Sequence, residues 1–162
     1  MSGFGLSKEL GIPHKDAQDY IDAYLLRYKG VKDYMEKVVE EARKNGFVRT
    51  LFGRIRHLPE LKNPDNTIRQ LGERAAMNTP IQGTAADIIK IAMINIYKRI
   101  KGYGLSSRII MQIHDELVIE VKEDEVEQVE HIVKEEMEGA VKLSVPLKVS
   151  MGKGKNWAIA HN

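Results

Sequence analysis

The sequence predicts an α+β fold with an antiparallel sheet. Apolar residues recur at three- and four-residue spacing through several long stretches, the mark of helices with one buried face. Two short apolar runs, Ile109-Ile110-Met111 and Leu117-Val118-Ile119, flank a polar centre and read as a strand hairpin. The order of elements is helices, hairpin, helix, hairpin, helix, strand, which differs from the alternating units of a parallel sheet. A chain of 162 residues is the size of one domain or of one piece of a larger one.

The first helix-like piece runs from Leu6 to Leu10 and closes at Gly11. Pro13 starts a second helix, in which Ala17, Tyr20, Ile21, Tyr24 and Leu25 share a face. Gly30 punctuates. Val31, Tyr34, Met35, Val38, Val39 and Ala42 repeat the pattern until Asn45-Gly46, a left-handed cap by composition. These two segments form a helical hairpin. Phe47 to Leu58 reads as a short strand hairpin turning at Phe52-Gly53, and Leu61 to Asn66 as a loop. From Thr67 the helical period returns. Pro80 is expected to break or kink it near Asn78 or Thr79, with Gly83-Thr84 restarting it. Ala85, Ile88, Ile89, Ala92, Met93, Ile96 and Ile100 then make a wide apolar face. After the hairpin of Arg108 to Val121, Asp124 is expected to cap a helix burying Val126, Val129, Val133 and Met137. Val145 to Met151 reads as a strand, and Gly152-Lys153-Gly154-Lys155 as a basic turn before Trp157.

Composition excludes several classes. Hydrophobic residues are 43% and charged residues 30%, which fits a packed globular chain. Without a cysteine there is no disulfide, thiolate metal site or cysteine nucleophile. No run approaches the roughly 20 apolar residues of a membrane span. Met1-Ser2-Gly3-Phe4-Gly5 lacks the basic start and apolar run of a signal peptide, so the expectation is a cytoplasmic chain. The net charge is only +2, so nucleic-acid binding has to be argued from distribution. Between Glu41 and Arg69 seven basic residues face three acidic ones, a net +4; between Glu120 and Glu138 two basic residues face nine acidic ones, a net −7. A basic half is suited to phosphates, and the acidic helix is suited to water.

Two constellations carry chemistry. His114-Asp115-Glu116 places adjacent carboxylates between runs that read as buried. Either this is a solvated acidic turn, or a divalent cation justifies it, because Mg²⁺ takes hard oxygen ligands and often only one or two protein carboxylates. Arg74, Asn78 and Gln82 are spaced by four and form a polar stripe on a helix. Either it is an ordinary exposed face, or its donors meet the N3 and O2 acceptors that recur in every minor groove. No phosphate-binding glycine loop, nucleophile elbow or metal-ligand histidine spacing is present.

Together these stretches resemble the C-terminal part of a family A DNA polymerase, the bacterial DNA polymerase I type, over nearly the whole chain. The most specific pieces are Gln112-Ile113-His114-Asp115-Glu116-Leu117-Val118 and Arg74-Ala75-Ala76-Met77-Asn78-Thr79-Pro80-Ile81-Gln82-Gly83-Thr84-Ala85-Ala86-Asp87. Thr50-Leu51-Phe52-Gly53-Arg54 and Gly154-Lys155-Asn156-Trp157 agree in order. The resemblance implies partial fingers over residues 1–61 and partial palm over 62–162. It implies that Asp115 binds metal, with Glu116 in a supporting role, and that His114 approaches the primer terminus. Arg74, Asn78 and Gln82 would touch the minor groove near the last base pair. Arg54 and Arg56, in the basic half, are the candidate phosphate contacts. Mg²⁺ is the implied cofactor, and primer-template DNA and deoxynucleoside triphosphates are the implied partners.

The match also departs from the family. The first metal-binding Asp motif has no counterpart here beyond a partial look-alike, Asp33-Tyr34-Met35-Glu36, within a predicted helix. The nucleotide-binding helix, thumb and exonuclease domains are also without counterpart. The expectation is a fragment, split-gene half or truncated relic that needs the missing N-terminal polymerase segment as a partner. Three hypotheses follow: a polymerase part inactive alone, a non-catalytic DNA-binding relic of the same family, and an unrelated α+β interaction protein. The ordered motifs argue against the third, and retention of His114-Asp115-Glu116 favours the first.

Overall fold

The computed structural model describes residues 2–161. Three helices open the chain: α1 (Gly3–Leu10), α2 (His14–Arg27) and α3 (Lys29–Asn45). The Ser2 hydroxyl caps α1 by accepting the Gly5 amide at 3.1 Å. The break between α2 and α3 falls at Tyr28, with φ −108° and ψ 59°, rather than at Gly30. Gly30 sits in the first turn of α3, where the ladder is still incomplete and a glycine disturbs little. At the other end Gly46 has φ 78° and its amide donates to the Ala42 carbonyl at 2.8 Å, the expected left-handed cap.

Strands β1 (Phe47–Arg49) and β2 (Ile55–His57) pair antiparallel, with Val48 opposite Arg56. A single 3-10 turn, Pro59–Lys62, occupies part of the predicted loop. Asp65 then accepts the amides of Thr67 at 2.7 Å and Ile68 at 3.4 Å, and these donors hold its carboxyl below the usual range. They open α4 (Asn66–Gly102), 37 residues long.

Pro80 does not break α4. An interior proline costs about 3 kcal/mol. Burial on both sides of it offsets that cost: Ala76 is buried before it, and Ile89, Ala92, Ile96 and Ile100 after it. The chain does divide at this point into two compact units, one ending at Pro80 and the other starting at Ile81. In the first, Ala42, Val48, Leu58, Leu61 and Ala76 form the core, with Val38, Val39 and Ala75 against them. In the second, Ile96 and Ile100 of α4 meet Val129, Ile132 and Val133 of α5 (Val126–Glu138). Each side chain of that size contributes about 1.5–3 kcal/mol when buried.

The second sheet pairs β3 (Arg108–Ile113) with β4 (Glu116–Glu120). Ile109, Leu117 and Ile119 lie on the second core. A bulge between Ile109 and Met111 shifts the register, so Ile109 faces Ile119 but Met111 faces Val118. The hairpin is therefore not buried on both faces as its apolar runs suggest: Ile110 and Met111 are exposed. Asp124 does not cap α5. Its carboxylate holds Lys122 Nζ at 2.8 Å, and a 3-10 turn, Glu123–Glu125, leads into the helix. Arg99 of α4 bridges Glu135 at 2.7 Å and Glu136 at 3.0 Å on α5.

Residues 145–151 do not form the predicted strand. A strand needs a ladder partner, and among the described residues none pairs with this segment. The chain closes with α6 (Trp157–Ala160), capped by the Asn156 side chain. Among the described residues no helix is long and apolar enough to cross a membrane.

Candidate active site

His114 and Asp115 form the two-residue turn between β3 and β4, and Ile113 and Glu116 close the ladder on either side. His114 has φ 52°, the one non-glycine residue with positive φ among those described. That backbone costs an L-residue about 1 kcal/mol or more. The Gln112 side-chain amide donates to the His114 carbonyl at 3.0 Å and helps to hold the turn. Strand alternation alone would put adjacent side chains on opposite faces. The turn removes that constraint, so His114, Asp115 and Glu116 all stand exposed at one end of the hairpin.

Exposure spares the two carboxylates the cost of burial. Buried neighbours would impose a desolvation penalty of several kcal/mol on each charge. Here water solvates both, and no burial has to be offset. Their hard oxygen donors suit a magnesium ion as part of a coordination set. Among the described residues, however, no group of three or more His, Asp or Glu gathers as a metal site. Glu116 has a neighbour that the sequence does not single out: His161 Nε2 lies 3.5 Å from Glu116 Oε1. No local signal reveals that contact, because the two residues are far apart in the chain.

Arg74, Asn78 and Gln82 all stand on α4 and all are exposed. Arg74 and Asn78 belong to the first compact unit, and Gln82 falls just inside the second. In the first unit, Arg54 lies on the exposed turn of the β1–β2 hairpin, where its backbone amide donates to the Thr50 hydroxyl at 3.2 Å. Arg56 extends from β2 to α4, donating to Thr79 Oγ1 at 3.1 Å. Other members of the basic half are structurally engaged: Arg43 pairs with Glu73 at 2.5 Å, and Arg69 donates to the carbonyls of Asn63 and Pro64. The look-alike Asp33-Tyr34-Met35-Glu36 lies within α3 and is exposed throughout.

The chain thus presents an antiparallel hairpin with an acidic tip and a long helix on which Arg74, Asn78 and Gln82 are exposed. The chain superposes with a TM-score of 0.95 on the POL domain of Pol1 from M. smegmatis, solved in complex with DNA primer-template and dNTP. The two are 48% identical, over 99% of this chain and 28% of that one. The chain belongs to DNA polymerase family A, whose family model matches residues 1–159. Curated relatives include DNA polymerase I of Mycobacterium tuberculosis, 49% identical over 162 residues, and of Pseudomonas aeruginosa, 50% identical over 161 residues, each match covering 99% of this chain. DNA polymerase I of Lactococcus lactis is 46% identical over 157 residues, or 97% of this chain. The chain spans 18% of the length of each of these relatives.

Proposed function

We propose that this chain is the part of a DNA-templated DNA polymerase that carries one metal-binding carboxylate and the minor-groove contacts. In this reading residues 1–61 are partial fingers and residues 62–162 are partial palm. The observation that carries it is the hairpin tip, where a left-handed His114 presents Asp115 to solvent. A two-residue hairpin turn takes positive φ at its first position, and this backbone lets the acidic tip stand clear of the strands. The resemblance to a domain solved with primer-template and dNTP supports the choice of partners.

The roles follow from the side chains. Asp115 holds part of the magnesium coordination, and Glu116 supports it. Magnesium, when bound, supplies the charge neutralisation that nucleotidyl transfer to a primer 3′-hydroxyl requires. His114 faces the primer terminus. Arg74, Asn78 and Gln82 donate to minor-groove acceptors, which lie in similar places in every correct pair and so report pair shape without reading sequence. Arg54 meets the phosphate backbone, and the guanidinium donors of Arg56 that Thr79 does not take serve the same purpose.

One carboxylate corner does not complete a two-metal site, so the 162-residue chain alone is inactive and needs the upstream polymerase segment. A primer-extension assay with Mg²⁺ and all four nucleotides tests this. No extension is expected from the chain alone, and extension is expected once the upstream segment is supplied in trans. Robust templated extension by the purified chain, abolished in Asp115→Ala, overturns the claim of inactivity. A reconstituted protein that binds DNA but never extends a primer is a non-catalytic DNA-binding relic.

A further inference from the structure

The last residues fold back on themselves, and the fold-back depends on two glycines. A Cβ on Gly152 would collide with the Ala160 carbonyl oxygen, and one on Gly154 would lie 2.8 Å from both the Ala160 nitrogen and Ile159 Cβ. Lys153, between them, ties the turn to α5 through Glu130 at 2.7 Å. α6 has only four residues, too few to hold a helix unaided. Its order comes from the Asn156 cap at 3.0 Å, from the close glycine passage, and from the Trp157 and His161 rings, whose centroids are 5.5 Å apart. The result delivers His161 Nε2 to 3.5 Å from Glu116 Oε1, one residue beyond Asp115.

We propose that residues 152–161 are a clasp that seats His161 against Glu116, and that His161 is a positioning residue for the hairpin tip. A glutamate side chain has several rotatable bonds, and leaving it free costs ordering at the moment it is needed. The imidazole, itself packed against Trp157, restricts that freedom from a distant part of the sequence. This inference rests on the reading of Asp115 and Glu116 as site residues, but the His161–Glu116 approach itself does not.

Two measurements separate the approach from its consequence. In the full 162-residue chain, the His161 Cε1–H resonance, identified by its disappearance in His161→Ala, is followed by carbon–proton NMR. It is expected to move in Glu116→Ala and in Gly152→Val, with the rest of the spectrum retained; if Gly152→Val does not fold, Glu116→Ala decides. A resonance that stays in place in Glu116→Ala overturns the clasp. For the consequence, the chain is joined to the upstream polymerase segment of the M. smegmatis relative and assayed on primer-template. His161→Ala is expected to lower kcat roughly tenfold to a hundredfold with KM for the nucleotide unchanged, the size of effect that small misplacements produce. His161→Gln, which keeps a donor, is expected to restore most of it, and His161→Ala in a Glu116→Ala background to cost nothing further. Equal losses with and without Glu116, or no loss at all, overturn the positioning role. A joined protein that fails to extend even with His161 intact contradicts the polymerase reading, and the NMR measurement still decides the clasp.

Discussion

Glu125 Oε2 accepts both the amide of Ser107, at 2.9 Å, and its hydroxyl, at 2.5 Å. The other carboxylate oxygen takes the Ser106 amide at 2.8 Å, and Ser107 Oγ accepts the Lys122 amide at 3.3 Å. One buried carboxylate thus fastens the start of β3 to the end of β4, at the foot of the hairpin whose tip is Asp115. Burying a charge is unfavourable unless donors surround it, and here the two amides and the hydroxyl do. The Ser106 amide, followed by the Ser107 hydroxyl, holds the Glu125 carboxyl below its ordinary range.

Glu125→Gln is therefore expected to lower the melting midpoint at neutral pH, with the difference shrinking in acid. A depressed folded-state pKa contributes stability that is complete above the ordinary value of 4.5 and fades as pH falls through the lower folded value. Thermal melts of both proteins from about pH 7 down to about pH 3 span that window and check this. A difference that is constant across the range contradicts it.

Ile96 is fully buried between α4 and α5. Ile96→Ala leaves a cavity in the second core and is expected to destabilise the chain by about 2–5 kcal/mol. Urea unfolding measures it. Ile94→Ala, two residues earlier on the same helix and exposed, serves as the control and is expected to change stability by less than about 0.5 kcal/mol.

In a polymerase completed by the upstream segment, Asp115→Asn is expected to abolish nearly all turnover while DNA affinity stays within a few-fold. In the proposed roles, loss of the Asp115 carboxylate strips charge stabilisation from the transition state, while the proposed groove and phosphate contacts lie on other residues. Single-turnover extension and equilibrium DNA binding, measured on the same preparation, separate the two. Parallel losses in both point to a folding defect.

Arg54→Ala combined with Arg56→Ala is expected to flatten the slope of log affinity against log salt, by about one for each phosphate that is no longer neutralised. Gln82→Ala is expected to weaken binding with the slope unchanged, because a neutral amide releases no counterion. Anisotropy titrations on a duplex over a range of salt, using folded protein of defined size, compare them. A slope change in Gln82→Ala equal to that of the arginine pair refutes the division of roles.

Local rules recover what local chemistry determines. The Gly46 cap, the β1–β2 hairpin and the inward face of Val129 and Val133 are legible in the sequence because each depends on residues within a turn or two. The departures are where distant packing decides. Tyr28 carries no punctuation signal, and the neighbouring Gly30 draws the expected boundary two residues too far. Pro80 is a helix breaker by propensity, but buried residues on each side hold α4 through it. Strand propensity at 145–151 has no effect without a partner strand. The acidic tip is legible as a motif, but its surroundings are not. The runs beside it suggest burial, whereas the turn is open, and neither the left-handed His114 nor the approach of His161 leaves a trace in spacing.

The bulge between Ile109 and Met111 resets the count of sides along β3. It adds one residue to the strand, so odd-numbered residues before and after it point to opposite sides of the ladder. The side on which the tip emerges is thus counted from the bulge and not from the start of the strand. A regular strand of the same length would bring every residue beyond the bulge to the other side, whereas deleting Ile110 would regularise the pairing and leave those residues where they are. A chimera that imports the acidic tip from a relative must import the irregularity with it, or cross over after Met111, if Asp115 is to arrive on its original side.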